Sequence, residues 1–444
     1  MRPVREIPNE FFKLRNDLGE PVPLIERFAA FLGGQHPLDG FRLLLVQHQL
    51  SNQAAMVGLL IRLGADPKDI HWLDIPYTSN KQVREFTIAE NDLDPGNFRV
   101  CDDYRVLDPY PYYQHKRAVE TVIALGAMSD KPLIVLDDGA YVLKALSALH
   151  PSRWPQPIGI VEQTTRGIIK IGQSAAMRAV SQAVPLVDVA QSAPKISLEP
   201  PFVAMAVCAS LERTIRPMAT GRTLRSALVL GYGSIGEQVA TYLAAQFHFD
   251  KSAVFIHDTD DDRLDLARRR GFSAWMPDDL SQRFDLVIGC SGRSSFGLGD
   301  RHYLNDGALL ASASSGAVEL SRREFVELAD ASELDDIEIR RDNLDERNLH
   351  ANVEVSLVDR SVTFANAGFP INFDGGLNTI PLRYIQETPV MMAAAAIQAC
   401  RAVKERKTGL LELEHRYCSW IDTQFRDLLG DEAHYLIPPP EEAW

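Results

Sequence analysis

Cysteine is scarce in this chain: there are five in 444 residues, Cys101, Cys208, Cys290, Cys400 and Cys418, widely scattered and with no CxxC pair. That excludes a disulfide framework and fits buried thiols in a reducing compartment. No HExxH string occurs among the eleven histidines, so no metal site is expected, and His71 near Asp74 reads as a surface pair rather than a ligand pair. Long apolar runs are missing too. The opening Met1-Arg2-Pro3-Val4-Arg5-Glu6 has no apolar signal core, and stretches such as Ala204 to Ala209 are too short to span a bilayer, so a cytoplasmic protein with no membrane partner is expected. Basic charge is in deficit. With 46 Lys and Arg against 60 Asp and Glu, the formal charge of -14 argues against a nucleic-acid partner.

What is present is ordinary globular composition, 45% hydrophobic and 24% charged, with length for two or three domains. Arg42-Leu43-Leu44-Leu45-Val46 reads as a buried strand, Asn52 to Leu63 as a helix stopped by Gly64, and Ile70 to Ile75 as the next strand. Further strands are expected at Leu133 to Leu136, Ile158 to Val161 and Pro185 to Val189, with helices around Ala118 to Gly126 and Tyr141 to Leu149 between them. The proline-punctuated piece Ala193 to Pro201 reads as a loop before a helix at about Phe202 to Arg216. Beyond it the alternation is regular: strands Ala227 to Leu230, Ala253 to His257, Leu286 to Gly289 and Ala308 to Ala311, with helices Ile235 to Ala245 and Asp260 to Arg270. The charge run Arg340 to Arg347 reads as a solvated face. An alanine-rich helix, Val390 to Val403, suggests a return to the first domain, and Pro438-Pro439-Pro440 an extended tail.

The expected fold class is therefore α/β, two doubly wound parallel-sheet domains, the second a Rossmann NAD-binding domain inserted into the first. The expected divisions are a substrate domain over 1–201, the NAD domain over 202–361, a return and hinge over 362–430, and a tail over 431–444.

The strongest chemical signal is Gly231-Tyr232-Gly233-Ser234-Ile235-Gly236, placed between a predicted strand and a predicted helix. Strand, glycine turn and helix are what a dinucleotide pyrophosphate needs: a tight turn, close backbone approach, close strand–helix packing and a helix N-terminus facing the anion. Asp258 ends the next strand, where a carboxylate accepts from a ribose diol and repels a 2′-phosphate, which favours NAD over NADP. Arg263, close by in sequence, pulls the other way. In the first domain His48, Asp137-Asp138-Gly139, Glu162-Gln163-Thr164-Thr165 and Lys195 each follow a predicted strand. In an open α/β sheet such segments border one crevice. Each also has a plain structural alternative: a satisfied core histidine, a helix N-cap, a surface lysine.

At these residues the sequence resembles the S-adenosyl-L-homocysteine hydrolases. Leu136-Asp137-Asp138-Gly139, Gly159 to Gly167, Lys195, Gly231 to Gly236 and Asn372 occur in the family's order over most of the chain. The resemblance implies a substrate domain closing on an NAD domain, a tightly held NAD, and a homo-oligomer, tetramer or dimer. It implies redox-neutral chemistry on a nucleoside: oxidation at the 3′-hydroxyl, elimination at C5′, addition of water and reduction. It assigns the catalytic positions to His48, Asp138, Lys195 and Glu199, and the substrate contacts to Gln163, Thr78 and Asn52. Cofactor contacts fall to Thr164, Thr165, Gly231, Gly233, Ser234, Ile235, Gly236, Asp258 and Asn372.

The departures cluster on the substrate side. Gln163 stands where the family has a glutamate, so an acceptor-only charge becomes an amide that also donates. Glu199 replaces an aspartate, Tyr141 replaces the last aspartate of an Asp-Asp-Gly-Gly-Asp run, and Leu50 and Asn52 replace a threonine and a glutamate. The family's Gly-His-Phe is absent near Ser314-Ser315-Gly316, its Gly-His-Pro aligns roughly with Asn378-Thr379-Ile380, and its C-terminal Lys and Tyr tail gives way to Pro438 to Trp444. Arg166 stands where the family has a third threonine and could pair with an anionic group on a ligand. The expected function is an NAD-dependent, adenosylhomocysteinase-like enzyme acting on S-adenosylhomocysteine or a related adenosine derivative. The alternatives are a catalytically silent NAD- or nucleoside-binding regulator and, less favoured, a dehydrogenase that releases its reduced cofactor.

Overall fold

The computed structural model describes residues 6–13, 17–106, 108–218, 224–247, 249–316, 318–322, 324–325, 348–357 and 360–437. Arg340 to Arg347 and Pro438 to Trp444 lie outside the described residues. The chain forms two compact units. One comprises Arg15–Tyr104, Pro109–Glu199 and Gly376–Trp444; the other comprises Met1–Leu14, Arg105–Asp108 and Pro200–Gly375. The second is thus largely an insertion between two parts of the first.

The sheet of the first unit contains β1 (Arg42–Gln47), β2 (Ile70–Asp74), β3 (Phe98–Arg99), β4 (Leu133–Asp137), β5 (Ile158–Glu162), β6 (Pro185–Asp188) and β14 (Gly409–Glu412), in the order β14-β6-β5-β4-β1-β2-β3. All of its pairings are parallel. Strands covered on both faces bury every side chain, so β1, β4 and β5 read as continuous apolar runs rather than alternating ones. At about 2 kcal/mol for each large aliphatic side chain removed from water, such runs fix which strands are central. The order reverses direction between β1 and β4, which makes their carboxyl ends the topological switch point. The helix Ser51–Arg62 follows β1, and Gly64 ends it at a φ of 97°, where a Cβ would stand 2.8 Å from Cβ of His36.

The second sheet holds β7 (Ala227–Leu230), β8 (Val254–His257), β9 (Ser273–Ala274), β10 (Phe284–Gly289), β11 (Leu304–Ser312), β12 (Val353–Ser356) and β13 (Ser361–Phe364), in the order β12-β13-β11-β10-β7-β8-β9. It is parallel except for the edge pair β12–β13. Its switch point lies between β7 and β10. The two-sheet, doubly wound α/β architecture agrees with the sequence reading.

Three details differ from that reading. The second unit runs to Gly375 rather than stopping at 361, because β13 pairs with β11. Ala193–Leu198 is a helix rather than a loop, since Pro194 lies in its first turn, where the missing N–H has no intrahelical partner to lose. His71 and Asp74 are buried, not a surface pair, because β2 is paired on both sides, by β1 and β3. Asp74 takes its cation from Arg117, 2.5 Å away.

Candidate functional site

Four adjacent strands of the first unit, β6, β5, β4 and β1, release their chains at one edge of the sheet. His48 leaves β1 and Asp138 leaves β4, the two strands flanking the switch point. Both are buried, and Nε2 of His48 lies 3.3 Å from Oδ2 of Asp138. Nδ1 of His48 lies 2.7 Å from Oγ1 of Thr78, whose hydroxyl donates to the carbonyl of Ile75 at 3.1 Å. With Thr78 holding Nδ1, the ring tautomer that carries its proton on Nε2 donates it to Asp138. Gln163, leaving β5, donates from Nε2 to the same Asp138 oxygen at 3.3 Å, while its Oε1 is buried without a partner. Asn52, on the helix after β1, is likewise buried with an unpartnered Oδ1.

The adjacent acids at 137 and 138 part company. Asp137 turns inward and accepts from the backbone N–H of Val142 at 2.7 Å, capping the helix Tyr141–Ser147, while Asp138 faces His48. The same division recurs one strand over. Glu162 turns inward and accepts from the N–H groups of Gly139, Ala140 and Thr164 and from the Thr164 hydroxyl, at 2.6–3.0 Å, while Gln163 faces Asp138. Gly167 leaves room for it, since a Cβ there would stand 2.2 Å from Cδ of Glu162. Burial pushes Asp137 up to about 7, and burial together with the neighbouring Asp137 pushes Glu162 well above the usual carboxylate range. Lys170, donating to the carbonyl of Gly139 at 2.8 Å, is brought down to about 7, by burial first and Arg166 second. Sequence reasoning missed Lys170, which sits mid-helix with no pattern around it.

Lys195 and Glu199 meet one helical turn apart in the helix that follows β6 and its C-cap, forming an ion pair, and the hydroxyl of Thr388 donates to Glu199 at 2.7 Å. Glu387, fully buried beside them and with neither carboxyl oxygen hydrogen-bonded, is pushed well up by burial and by Glu199. Nothing around it in the sequence marks it, as an acid opening an alanine-rich helix reads as a dipole partner. Thr164 caps the helix Thr165–Gln173 by accepting from Gly167 N–H at 2.9 Å, and Thr165 is exposed.

The glycine turn of the second unit has the form a dinucleotide cradle requires. Gly231 has a φ of 98°, and a Cβ on it would stand 2.9 Å from the backbone of Cys290 and Ser291, which leave β10 across the switch point. On Gly236 a Cβ would lie 1.9 Å from the carbonyl oxygen of Gly231. On Gly233 it would meet only the guanidinium tip of Arg263, at 3.3 Å, so this backbone is the approachable one. Ser234 and Ile235 open the helix Ser234–Gln246. Asp258 accepts from the backbone N–H of Tyr232 at 2.6 Å and has Arg263 at 3.8 Å. Asn372 is buried with an unpartnered Oδ1, one residue after Ile371 binds the end of β11 through the Ser312 carbonyl. Glu319, also missed from the sequence, gathers the loops after β10 and β11: its carboxylate accepts from Ser291, Ser295 and Ser314 hydroxyls and from Gly292 N–H. Among the described residues no cluster of three or more metal-ligating side chains occurs, and no helix is long and apolar enough to cross a membrane.

No protein-family model matches the chain. An uncharacterized protein of Mycobacterium tuberculosis is 28% identical over 415 residues, covering 90% of this chain and 71% of its own length. The adenosylhomocysteinase of Aeropyrum pernix is 25% identical over 311 residues, 69% of this chain and 68% of that enzyme. That of Haloquadratum walsbyi is 24% identical over 314 residues, covering 69% and 66%. The chain is a divergent homologue of the adenosylhomocysteinases. Among solved structures, the dipicolinate synthase A chain of Bacillus subtilis aligns over 87% of this chain and 98% of its own at 11% identity and a TM-score of 0.34. The adenosylhomocysteinase relationship therefore rests on sequence similarity.

Proposed function

We propose that the protein is an adenosylhomocysteinase-like enzyme that holds NAD and uses transient oxidation of a nucleoside 3′-hydroxyl to break or make a bond at C5′. The substrate is S-adenosylhomocysteine or a related adenosine derivative. The carrying observation is the His48–Asp138 pair at the switch point, 3.3 Å apart and buried, with Thr78 fixing the ring from behind. An imidazole whose Nδ1 is held and whose Nε2 shares a proton with a carboxylate is built to give and take that proton, the work needed at C4′ and C5′. Lys195, ion-paired with Glu199, provides a cationic group that favours proton loss from the 3′-hydroxyl.

The backbone of Gly231, Gly233 and Gly236, the helix start at Ser234 and Ile235, the Asp258 carboxylate and the unpartnered Asn372 oxygen suit a dinucleotide, and Asp258 favours NAD over NADP. When bound, NAD supplies the two-electron oxidation and its reversal. Gln163 favours an altered substrate, because its free oxygen asks for a donor where the resemblance implies a carboxylate.

The test is to mix purified protein with S-adenosylhomocysteine, and separately with adenosine, following reduced-cofactor absorbance and homocysteine release together. Reduction with both and release from the first is the expected result. No reduction with any adenosine derivative overturns the proposal and leaves the regulatory reading.

A further inference from the structure

We infer that Glu319 tunes the bound dinucleotide: its buried carboxylate, fastened to the loops that follow β10 and β11, favours the oxidised, positively charged nicotinamide over the reduced, neutral one. This rests on the NAD reading above and assigns, within it, a residue that holds the cofactor in the state from which the proposed oxidation starts.

Glu319 is fully buried. Its backbone carbonyl accepts from the N–H groups of Ser295 and Phe296, each at 3.0 Å, and Leu320 bridges Phe296, so the side chain enters from a fixed backbone position. Gly289, the last residue of β10, admits it: a Cβ there would stand 2.6 Å from Cβ of Glu319 and 2.9 Å from its Oε2. One carboxyl oxygen accepts from Gly292 N–H and the Ser314 hydroxyl, the other from the hydroxyls of Ser291, at 2.8 Å, and Ser295. Two donors on each oxygen use its lone pairs and favour the ionised carboxylate, against burial, which pushes the group up. All four donors are neutral. Hydrogen bonds of that kind stabilise the charge without cancelling it, so a cation placed nearby is favoured.

A nicotinamide supplies that cation. A doubly wound sheet takes the two halves of a dinucleotide on either side of its switch point, here between β7 and β10. Asp258 follows β8, so the adenosine half belongs over β7 and β8 and the nicotinamide half over the ends of β10 and β11. Those ends are the segments that Glu319 fastens. The glycine turn meets them as well: a Cβ on Gly231 would stand 2.9 Å from the backbone of Ser291, whose hydroxyl donates to Glu319. The field of the carboxylate reaches the residue after β10, since burial and then Glu319 push the Cys290 thiol up. Oxidised NAD carries a positive charge on the nicotinamide that the reduced form lacks, so an anion fixed on that side of the switch point lowers the free energy of the oxidised form alone.

The test is a competition. The full-length protein is equilibrated with NAD and NADH mixed in known ratios and separated by rapid gel filtration, and its bound nucleotide is released and quantified. The unaltered protein should retain the oxidised form in preference to the reduced one. In Glu319→Gln, which keeps the shape and removes the charge, the ratio of bound oxidised to bound reduced nucleotide should fall about ten-fold, as one charge acting through a buried loop predicts. Glu319→Asp should restore most of that ratio. A purely structural role weakens both nucleotides together, so an unmoved ratio in Glu319→Gln overturns the inference while the NAD reading stands. Binding of neither nucleotide by the unaltered protein overturns both. If Glu319→Gln does not fold, the unaltered protein decides: retention of the reduced form equal to or above that of the oxidised one overturns the inference.

Discussion

The two switch points solve the same problem by different means. At the second sheet the geometry is imposed by absent side chains: Gly231 and Gly236 sit where a Cβ would strike backbone. At the first sheet it is imposed by buried carboxyl groups, with Glu162 tying Gly139, Ala140 and Thr164 together and Asp137 fixing the next helix. A glycine turn tolerates almost no change at its fixed positions. A site framed by inward-facing acids leaves the outward-facing residues free to vary, and Gln163, which departs from the pattern that the resemblance implies, is one of them.

The sharpest way to break the contrast is at its glycines. Gly236→Val should destabilise the second unit by about 3 kcal/mol or more, because the carbonyl of Gly231 cannot retreat without opening the turn. Gly167→Val should cost a similar amount at the first sheet by pressing on the Glu162 carboxyl. Thermal unfolding of both variants checks this, and an unshifted transition in either would dissolve the comparison. Next, Asp138→Asn should lower turnover by about 10²–10⁴ with the fold retained, since it removes the proton partner of His48. Near-normal turnover would move the acid–base role elsewhere.

Gln163→Glu sets a second carboxyl at a contact distance of 3.3 Å from Asp138, and two such groups resist joint ionisation. The acid limb of the rate profile should then move to higher pH by about one unit. An unmoved limb would show that position 163 does not face the working pair.

Asp137 offers a pH test of the buried frame. Its affinity for a proton is higher folded, at about 7, than unfolded, so the stabilisation this gives is fully present below the ordinary aspartate range and is lost as pH rises through about 7. In Asp137→Asn the decline in stability between pH 4 and 7 should flatten, as denaturant midpoints would reveal. The smallest effect is expected at Arg263, which is half-exposed beside Asp258. Arg263→Ala should change the preference between NAD and NADP by less than about ten-fold, because exposed ion pairs contribute little.

The fold was largely legible because β1, β4, β5, β7 and β10 are apolar runs of strand length, and helix starts such as Asn52 and Tyr141 follow them closely. The helix Ala193–Leu198 was hidden by prolines whose position in the first turn makes them harmless. His71 and Asp74 were misplaced because a polar residue in a strand paired on both sides looks, in one dimension, like one at an edge. His48, Asp138 and Gln163 could be placed at strand ends, and the structure brings them together. Glu319 and Glu387 could not be foreseen, since each depends on donors or charges brought from distant segments, such as Ser291 for the first and Glu199 for the second.

At the ends of β4 and β5 the chain carries the same two-residue arrangement: an acid folded back into the protein, then a polar group turned toward the acid–base pair. Heritable change is therefore sorted by position. A substitution at 137 or 162 is exposed to selection through folding, whereas one at 138 or 163 is exposed to it through chemistry alone. A lineage carrying this frame can wander in substrate space one outward residue at a time while its scaffold stays under constant surveillance, a history that Gln163 and Arg166 would record.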